Sequence, residues 1–170
     1  MQQISHLVTN AKSRDEFLSA CPWPFLVGAS LPKRSRERGK ALGFEAFSTV
    51  ERDRVLLSDS PAGERPLLVI PVRKVHHTYP SMITVGRTRN NDVVLDAAMI
   101  SKFHAFFRVG DGQFALADAG SQNRTRVGEL LLERKGAPHV VHSGDRIFFA
   151  ELEFQFLDAG ACWDRLQTGA

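Results

Sequence analysis

The stretch FHAFFRVGDGQFALAD, residues 103 to 118, decides the fold. Its two apolar segments flank Gly110-Asp111-Gly112, and such a glycine-aspartate turn is typical of a β-hairpin. Short segments rich in Val, Ile and Phe alternate with turn residues on both sides of it: LLVIPV, MITV, DVVL, TRV, HVV, RIFFA and LEFQFL. A parallel α/β fold would need helical crossovers, and none is visible between these segments. The sequence therefore predicts an all-β domain, an antiparallel sandwich or barrel.

The composition indicates a single main core with an extension. The chain has 170 residues, 43% of them hydrophobic, and 22 basic against 19 acidic residues give a net charge of +3. This small excess disfavours non-specific nucleic-acid binding, so we expect any anion recognition to be local. Cys21 and Cys162 lack CxxC spacing, which indicates free thiols in a reducing compartment. No apolar run is long enough for a membrane span or a signal peptide, and we expect a soluble cytoplasmic protein.

Residues 1–65 are predicted to form a partly helical extension. Ser13 and Glu16 make a capping-box signature for a short helix that Pro22 ends. An earlier helix is indicated by an apolar stripe with helical spacing: Ile4, Leu7, Val8 and Ala11. This stripe must bury against something, and two roles stay open for the extension. It could complete the sandwich by packing on it, or it could present a partner-binding face.

The remaining segments complete the predicted domain organisation. The basic run from Leu31 to Lys40 is typical of an exposed loop, and Val55 to Leu57 could close a strand. We place the β domain at residues 66–158 and a C-terminal tail at 159–170. Most phenylalanines of the β domain are expected in its core.

Polar residues of three loops fit a phosphate group. Arg87 offers a planar fork of donors, Ser101 a hydroxyl and Lys102 a point charge. None of them carries a competing negative charge, and a phosphoryl group of about −1.5 to −2 charges would be satisfied by the set. Asn123 both donates and accepts, which suits the backbone of an extended peptide. Because the loops of a sandwich gather at its ends, we expect these side chains to meet at one rim.

Five short motifs in a fixed order resemble a forkhead-associated (FHA) domain, over roughly residues 67 to 157. They are Gly86-Arg87; Asn91-Asp92-Val93-Val94-Leu95; Ile100-Ser101 with His104-Ala105; Asp118 with Gly120-Ser121, Asn123 and Thr125; and Gly144-Asp145. Several motifs in the right order are far more specific than one glycine motif alone.

The resemblance implies a sandwich of two antiparallel sheets that reads phosphothreonine in peptides through loops at one end. Arg87 and Ser101 would bind the phosphate, with Lys102 beside them, while Gln122 and Asn123 would hold the peptide main chain. Structural support would come from three further residues: Gly86, His104 and Thr125. No cofactor and no metal is implied.

The chain departs from the family pattern in the loop after Asp118. Arg124 stands where the family usually has glycine, and Val127-Gly128 lacks the usual asparagine between them. If this position needs a positive φ, an arginine there costs roughly 1 kcal/mol relative to glycine. Either the loop is reshaped, or Arg124 adds a cation to the rim that favours acidic peptides.

We expect a non-enzymatic phosphothreonine-dependent binding module whose partner is a threonine-phosphorylated protein or peptide. A Ser101-His104-Asp118 hydrolase is disfavoured because no GxSxG elbow is present. His139 and His142, three apart on a predicted strand, point to opposite faces and do not suit one metal ion. The rival hypothesis is a phosphate-independent scaffold, and a third is nucleic-acid binding by the basic run. Membrane binding is not expected, and the oligomeric state stays open.

Overall fold

The computed structural model describes residues 11–29, 55–57 and 67–168. Among these residues it has two short helices and twelve strands. In chain order the elements are α1 (Arg14–Ala20), β1 (Phe25–Ala29), β2 (Val55–Leu57), β3 (Leu67–Pro71), β4 (Ile83–Gly86), β5 (Val93–Val94), β6 (Ala105–Gly110), β7 (Gln113–Asp118), β8 (Thr125–Val127), β9 (Leu130–Leu131), β10 (His139–Val141), β11 (Arg146–Phe149), β12 (Leu152–Leu157) and α2 (Ala159–Gln167).

The described strands form two sheets, which confirms the predicted all-β sandwich. The first has seven strands in the order β2-β3-β1-β12-β11-β8-β9, all antiparallel. The second has five strands in the order β10-β7-β6-β4-β5. One pairing departs from the antiparallel expectation, because β4 and β5 run parallel with Val85 opposite Val93. Strand β5 has only two residues. The chain reaches it from the end of β4 through a short loop, without a helical crossover.

The predicted hairpin is formed by β6 and β7. Gly110 pairs with Gln113, so Asp111 and Gly112 make a two-residue turn. Both turn residues have positive φ, 51° and 73°, as a type I′ turn requires. This turn matches the twist of the flanking strands and fixes the register of the whole hairpin.

A strand that the sequence pattern does not predict comes from the N-terminal segment. Strand β1 lies between β3 and β12, with Phe25 opposite both Pro71 and Leu157. Leu26 packs in the core between the sheets, whereas Phe25 and Val27 pack on the outer side. Burial on both faces makes the run uniformly apolar, so it lacks the alternation that marks a half-buried strand. The described part of the extension thus contributes to the sandwich.

A second small core lies on the outer side of the first sheet. Helices α1 and α2 meet there, and Phe17 packs against both Phe25 and Trp163. The predicted cap of α1 is confirmed, since the Ser13 side chain accepts a hydrogen bond from the Glu16 N–H. Helix α2 occupies residues 159–167, for which we expected only a C-terminal tail.

Other predictions for the N-terminal segment have mixed outcomes. The expected strand at Val55 to Leu57 is present as β2. The helix expected around Ile4 to Val8 and the basic run from Leu31 to Lys40 lie outside the described residues. The division of the chain at residues 65 and 66 stays a prediction.

The register of the second sheet brings two loops to one end of the sandwich. Ala105, the first residue of β6, lies opposite both Val85 near the end of β4 and Asp118 at the end of β7. The loops at residues 87–104 and 119–124 therefore start and finish at the same edge. A backbone bond from Ala119 N–H to the His104 carbonyl joins them there, and one from His104 N–H to the Val85 carbonyl ties the first loop to β4.

Candidate functional site

Ser101 lies where the two loops meet. Its Oγ accepts a hydrogen bond from the Gln122 N–H at 3.1 Å, and its carbonyl oxygen accepts one from the Arg87 N–H at 3.0 Å. The side chain is half-buried, and its hydroxyl hydrogen is free to donate to a ligand. Three of the predicted binding residues are thus linked directly through the backbone and hydroxyl of Ser101.

Two cations accompany this serine. Arg87 is partly exposed and Lys102 is exposed. The side chains of both make no hydrogen bond or ion pair with any residue in the described ranges. The backbone of each residue is held by hydrogen bonds, at Arg87 N–H and at the Lys102 carbonyl. Binding of an anion by their charged groups would therefore cost little backbone entropy. The site can therefore receive an anion without breaking an existing ion pair.

The buried imidazole of His104 braces both loops. Its Nδ1 accepts a hydrogen bond from the Ser101 N–H at 3.1 Å, and its Nε2 lies 3.0 Å from the carbonyl oxygen of Arg124. Only the neutral tautomer protonated at Nε2 satisfies both bonds. Burial lowers the pKa of His104, which keeps the ring neutral. The structure thus places His104 inside the site, where it supports the loops.

Gly86 allows the 101–104 loop to approach the end of β4. A Cβ atom at this position would collide with the Lys102 carbonyl oxygen and lie 2.7 Å from Asn91 Nδ2. That carbonyl accepts hydrogen bonds from Asn91 Nδ2 at 2.8 Å and from Thr88 Oγ1 at 2.9 Å. Glycine is needed here for close contact, and its neighbours hold the loop in place.

A buried carboxylate organises the other loop. Asp118 accepts hydrogen bonds from the N–H groups of Gly120 and Ser121, from Ser121 Oγ at 2.6 Å and from Thr125 Oγ1 at 2.8 Å. Burial would raise the pKa of Asp118, but these hydrogen bonds outweigh it and hold the pKa below the usual range. Thr125 therefore acts through Asp118 to shape the loop that carries Gln122 and Asn123.

Gln122 and Asn123 are both exposed at the rim. The Nδ2 group of Asn123 donates to the Met99 carbonyl at 2.8 Å, so one amide hydrogen joins the loops and the amide oxygen remains for a peptide. The backbone oxygen of Gln122 accepts a hydrogen bond from Arg134 Nη2 at 2.8 Å. Arg134 was not among the predicted residues, because only the distant pairing of Asp118 with Arg134 brings it here.

Arg124 adopts the left-handed conformation, with φ at 69°. Its Nη2 donates to the Leu132 carbonyl at 3.0 Å, and the side chain is half-buried. This geometry fits neither alternative, because the loop is not reshaped and the guanidinium is held at the Leu132 carbonyl. The loop keeps the conformation that glycine would adopt more easily.

The catalytic and metal alternatives have no supporting geometry. Asp118 is engaged by residues 120–125, and the backbone N–H of Ser101, rather than its hydroxyl, contacts His104. In the described ranges no three His, Cys, Asp or Glu side chains are grouped to hold a metal ion. Over the same ranges, no helix has the length and apolarity to cross a membrane.

Residues 83–150 match the family model for the FHA domain. This segment contains the loops and strands that form the candidate site, and it is an FHA domain. The family match therefore covers the candidate site and less than half of the chain.

Its relatives include named regulators. Over 74 residues it is 36% identical to the oxoglutarate dehydrogenase inhibitor of Corynebacterium glutamicum, covering 44% of this chain and 49% of that protein. Over 133 residues it is 27% identical to the glycogen accumulation regulator GarA of Mycolicibacterium smegmatis, covering 78% and 75%. A solved structure of phosphothreonine-dependent FHA domain interactions is 20% identical with a TM-score of 0.44, covering 60% of this chain and 91% of that one. The chain spans about half the length of the first curated relatives it matches.

Proposed function

We propose that this chain is a phosphothreonine-dependent peptide-binding module that works in signalling or assembly without catalysis. One observation carries the proposal: the half-exposed hydroxyl of Ser101 lies in a braced loop whose neighbours Arg87 and Lys102 have unpaired side chains in the described structure. A phosphoryl group carries two negative charges and several acceptor oxygens, which these donors complement.

The site would bind the phosphate by charge-assisted hydrogen bonds. The Arg87 guanidinium would supply two parallel donors, the Ser101 hydroxyl a third, and the Lys102 ammonium a further charge. Gln122 and Asn123 would hold the main chain of the peptide on the neighbouring loop. Because the backbone of both loops is already pinned, binding orders little of the protein.

The FHA match and the names of the relatives support a regulatory role through a protein partner. Their names describe an inhibitor and a regulator, which accords with a non-enzymatic function. We place that function in the cytoplasm, where the free thiols of Cys21 and Cys162 would persist.

The test is binding of a degenerate phosphothreonine peptide library and of its unphosphorylated twin. A hydrogen bond to a charged group contributes about 1.5 to 3 kcal/mol, so Arg87→Ala should weaken phosphopeptide binding at least about tenfold. Arg146→Ala is the matched control, since this exposed arginine on β11 is paired with Glu153 near Gly128. Equal binding of the two libraries, or binding unaffected by Arg87→Ala, would contradict the proposal.

A second candidate is a phosphate-independent scaffold. The observation that favours it is the edge strand β9, where Leu130 and Leu131 are 48% and 50% exposed. An exposed sheet edge can accept a strand from a partner. Binding of an unphosphorylated partner that survives Arg87→Ala but not charged substitutions on β9 would support this candidate.

A further inference from the structure

Two exposed aromatic side chains and a partly buried one form a continuous surface on the loop and strand beside the candidate site. Tyr79 is 47% exposed and Phe103 is 37% exposed. Their rings stack with centroids 6.0 Å apart and planes 6° apart, and the Phe106 ring lies 6.1 Å beyond Phe103. We call Tyr79, Phe103 and Phe106 the aromatic step.

The aromatic step shares a loop with the proposed phosphate site. Phe103 lies between Lys102, whose carbonyl is tied to Thr88 and Asn91, and the buried His104. This anchoring fixes the backbone that presents the Phe103 ring. The exposed ring is therefore carried by the residue that directly follows Lys102 in the loop of the proposed phosphate site.

The step continues from the loop onto the second sheet. Phe106 belongs to β6 and is only partly buried, whereas its neighbours Ala105 and Phe107 are buried on the core side. The guanidinium carbon of Arg108 lies 5.7 Å from the centroid of the Phe106 ring, at the far end of the step. The apolar surface thus has the Arg108 cation beside Phe106, and Lys102 precedes Phe103 in the chain.

The core does not require these side chains. Burial of apolar surface contributes about 25 cal/mol per Å², and exposed rings forgo that free energy. A cluster of exposed apolar rings therefore indicates a contact surface, whereas a single exposed apolar residue does not. Parallel stacking of Tyr79 on Phe103 also holds both rings in place before any ligand arrives. The surface is therefore preorganised to receive a flat or bulky apolar group.

We propose that the aromatic step binds a large apolar or aromatic side chain that flanks the phosphothreonine in the same partner segment. This inference rests on the proposed function, because the phosphate anchors the segment beside Lys102. The position of Phe103 directly after Lys102 in the loop of the phosphate site sets the occupant, and Arg108 beside Phe106 favours acidic residues around the apolar one. Tyr79 and Phe103 are then specificity-determining residues rather than phosphate ligands.

The test is a double-mutant cycle between peptide and protein. Phosphothreonine peptides carry Phe, Leu or Ala at one flanking position at a time, and each is titrated against the wild-type chain, Phe103→Ala and Tyr79→Ala. An aromatic contact adds about 0.5 to 1.5 kcal/mol, so replacing the preferred Phe by Ala should weaken wild-type binding by about two- to tenfold. Phe103→Ala should remove that difference while the alanine peptide binds as it does to the wild type.

Two controls separate this contact from a general loss of structure. Val140→Ala removes an apolar side chain on β10 that is 37% exposed, as Phe103 is, and should leave the preference intact. Phe103→Tyr keeps the stacked ring and should retain the preference.

Three outcomes would overturn the inference. One is phosphothreonine binding without any flanking apolar preference, and another is a preference that persists in both alanine variants. The third is wild-type self-association that Phe103→Ala abolishes, because the surface would then be a contact between copies of the chain. Absence of any phosphopeptide binding would instead contradict the proposed function on which the inference rests.

Discussion

The backbone N–H of Ser101 donates a hydrogen bond to Nδ1 of His104 at 3.1 Å. The opposite ring nitrogen, Nε2, lies 3.0 Å from the carbonyl oxygen of Arg124. One buried side chain thus joins the loop that carries Ser101 and Lys102 to the loop that carries Gln122 and Asn123. The relative position of the proposed phosphate and peptide contacts depends on an imidazole that touches neither ligand.

The first prediction concerns the pH dependence of stability. Burial lowers the pKa of His104, whereas the unfolded chain has the ordinary value of about 6.5. As the pH falls below about 6.5, the unfolded state binds this proton before the folded state does. The free energy of unfolding therefore decreases with falling pH until the pH reaches the lower pKa of the folded state. The measurement is urea unfolding at a series of pH values between about 7.5 and 5.

The control for this prediction is His104→Asn, which has no titrating ring. We expect its free energy of unfolding to be lower than that of the wild type at neutral pH and to change less across the same interval. Parallel pH profiles for the wild type and His104→Asn would contradict the assigned role of the neutral imidazole.

The second prediction concerns the carboxylate that shapes the peptide loop. Asp118→Asn replaces one of the two acceptor oxygens by an NH2 group. In the wild type Oδ2 accepts from the hydroxyl groups of Ser121 and Thr125, which an NH2 group cannot do. Hydrogen bonds to charged groups contribute about 1.5 to 3 kcal/mol, so we expect a loss of roughly that size in the free energy of unfolding. Asp111→Asn, in the exposed hairpin turn, is the matched control and should change it by less than about 0.5 kcal/mol. Similar values for the two variants would contradict the assignment.

The third prediction concerns the departure at Arg124. Glycine would relieve a left-handed backbone strain of roughly 1 kcal/mol and remove a buried Nε that has no hydrogen-bond partner among the described residues. It would also lose the bond to the Leu132 carbonyl, worth about 0.5 to 1.5 kcal/mol. These effects nearly cancel, so thermal and urea unfolding should show a net change below about 1 kcal/mol.

Binding provides the second readout at this position. Because the guanidinium is engaged by Leu132, Arg124→Gly should change the phosphopeptide Kd by less than about twofold. A large loss of affinity, or selective loss of acidic peptides, would show that Arg124 acts at the rim after all.

The fourth prediction concerns the two thiols. Cys21 and Cys162 are both fully buried, and burial raises the pKa of Cys162 to about 12. Burial also raises the pKa of Cys21. At pH 8 the Cys162 thiol, with a pKa of about 12, is ionised in only about one molecule in ten thousand. The thiolate is the form that reacts. A chromogenic thiol reagent should therefore label neither cysteine in the native chain and both after unfolding, whereas rapid native labelling would contradict the packing of α1 and α2 around them.

The strands, and the loop residues that we propose as phosphate contacts, could be picked out from the sequence because their signals are local. The Asp111-Gly112 turn specifies the β6–β7 hairpin, and apolar runs between turn residues mark most of the other strands. Arg87, Ser101 and Lys102 stand out because a guanidinium, a hydroxyl and an ammonium occur in short loop motifs without a neighbouring acid.

The remaining features depend on contacts between distant segments. Strand β1 is buried on both faces, so its sequence lacks alternation, and nothing local places it between β3 and β12. Arg134 is brought to the site by its pairing with Asp118 and bonds to Gln122 there, and Tyr79 stacks on Phe103. Such contacts follow from the path of the chain and are not encoded in the spacing of nearby residues.

The most direct measurement is an amide nitrogen–proton NMR titration with a phosphothreonine peptide and its unphosphorylated twin. The account predicts shifts at residues 86–88, 101–104 and 120–123 on adding the phosphopeptide, where the Arg87 and Gln122 amides contact Ser101. The same titration of Arg87→Ala should need at least about tenfold more phosphopeptide to reach the same shifts. Shifts confined to other surfaces, such as α1 or β9, or equal shifts with both peptides, would contradict the proposal that this end of the sandwich reads phosphothreonine.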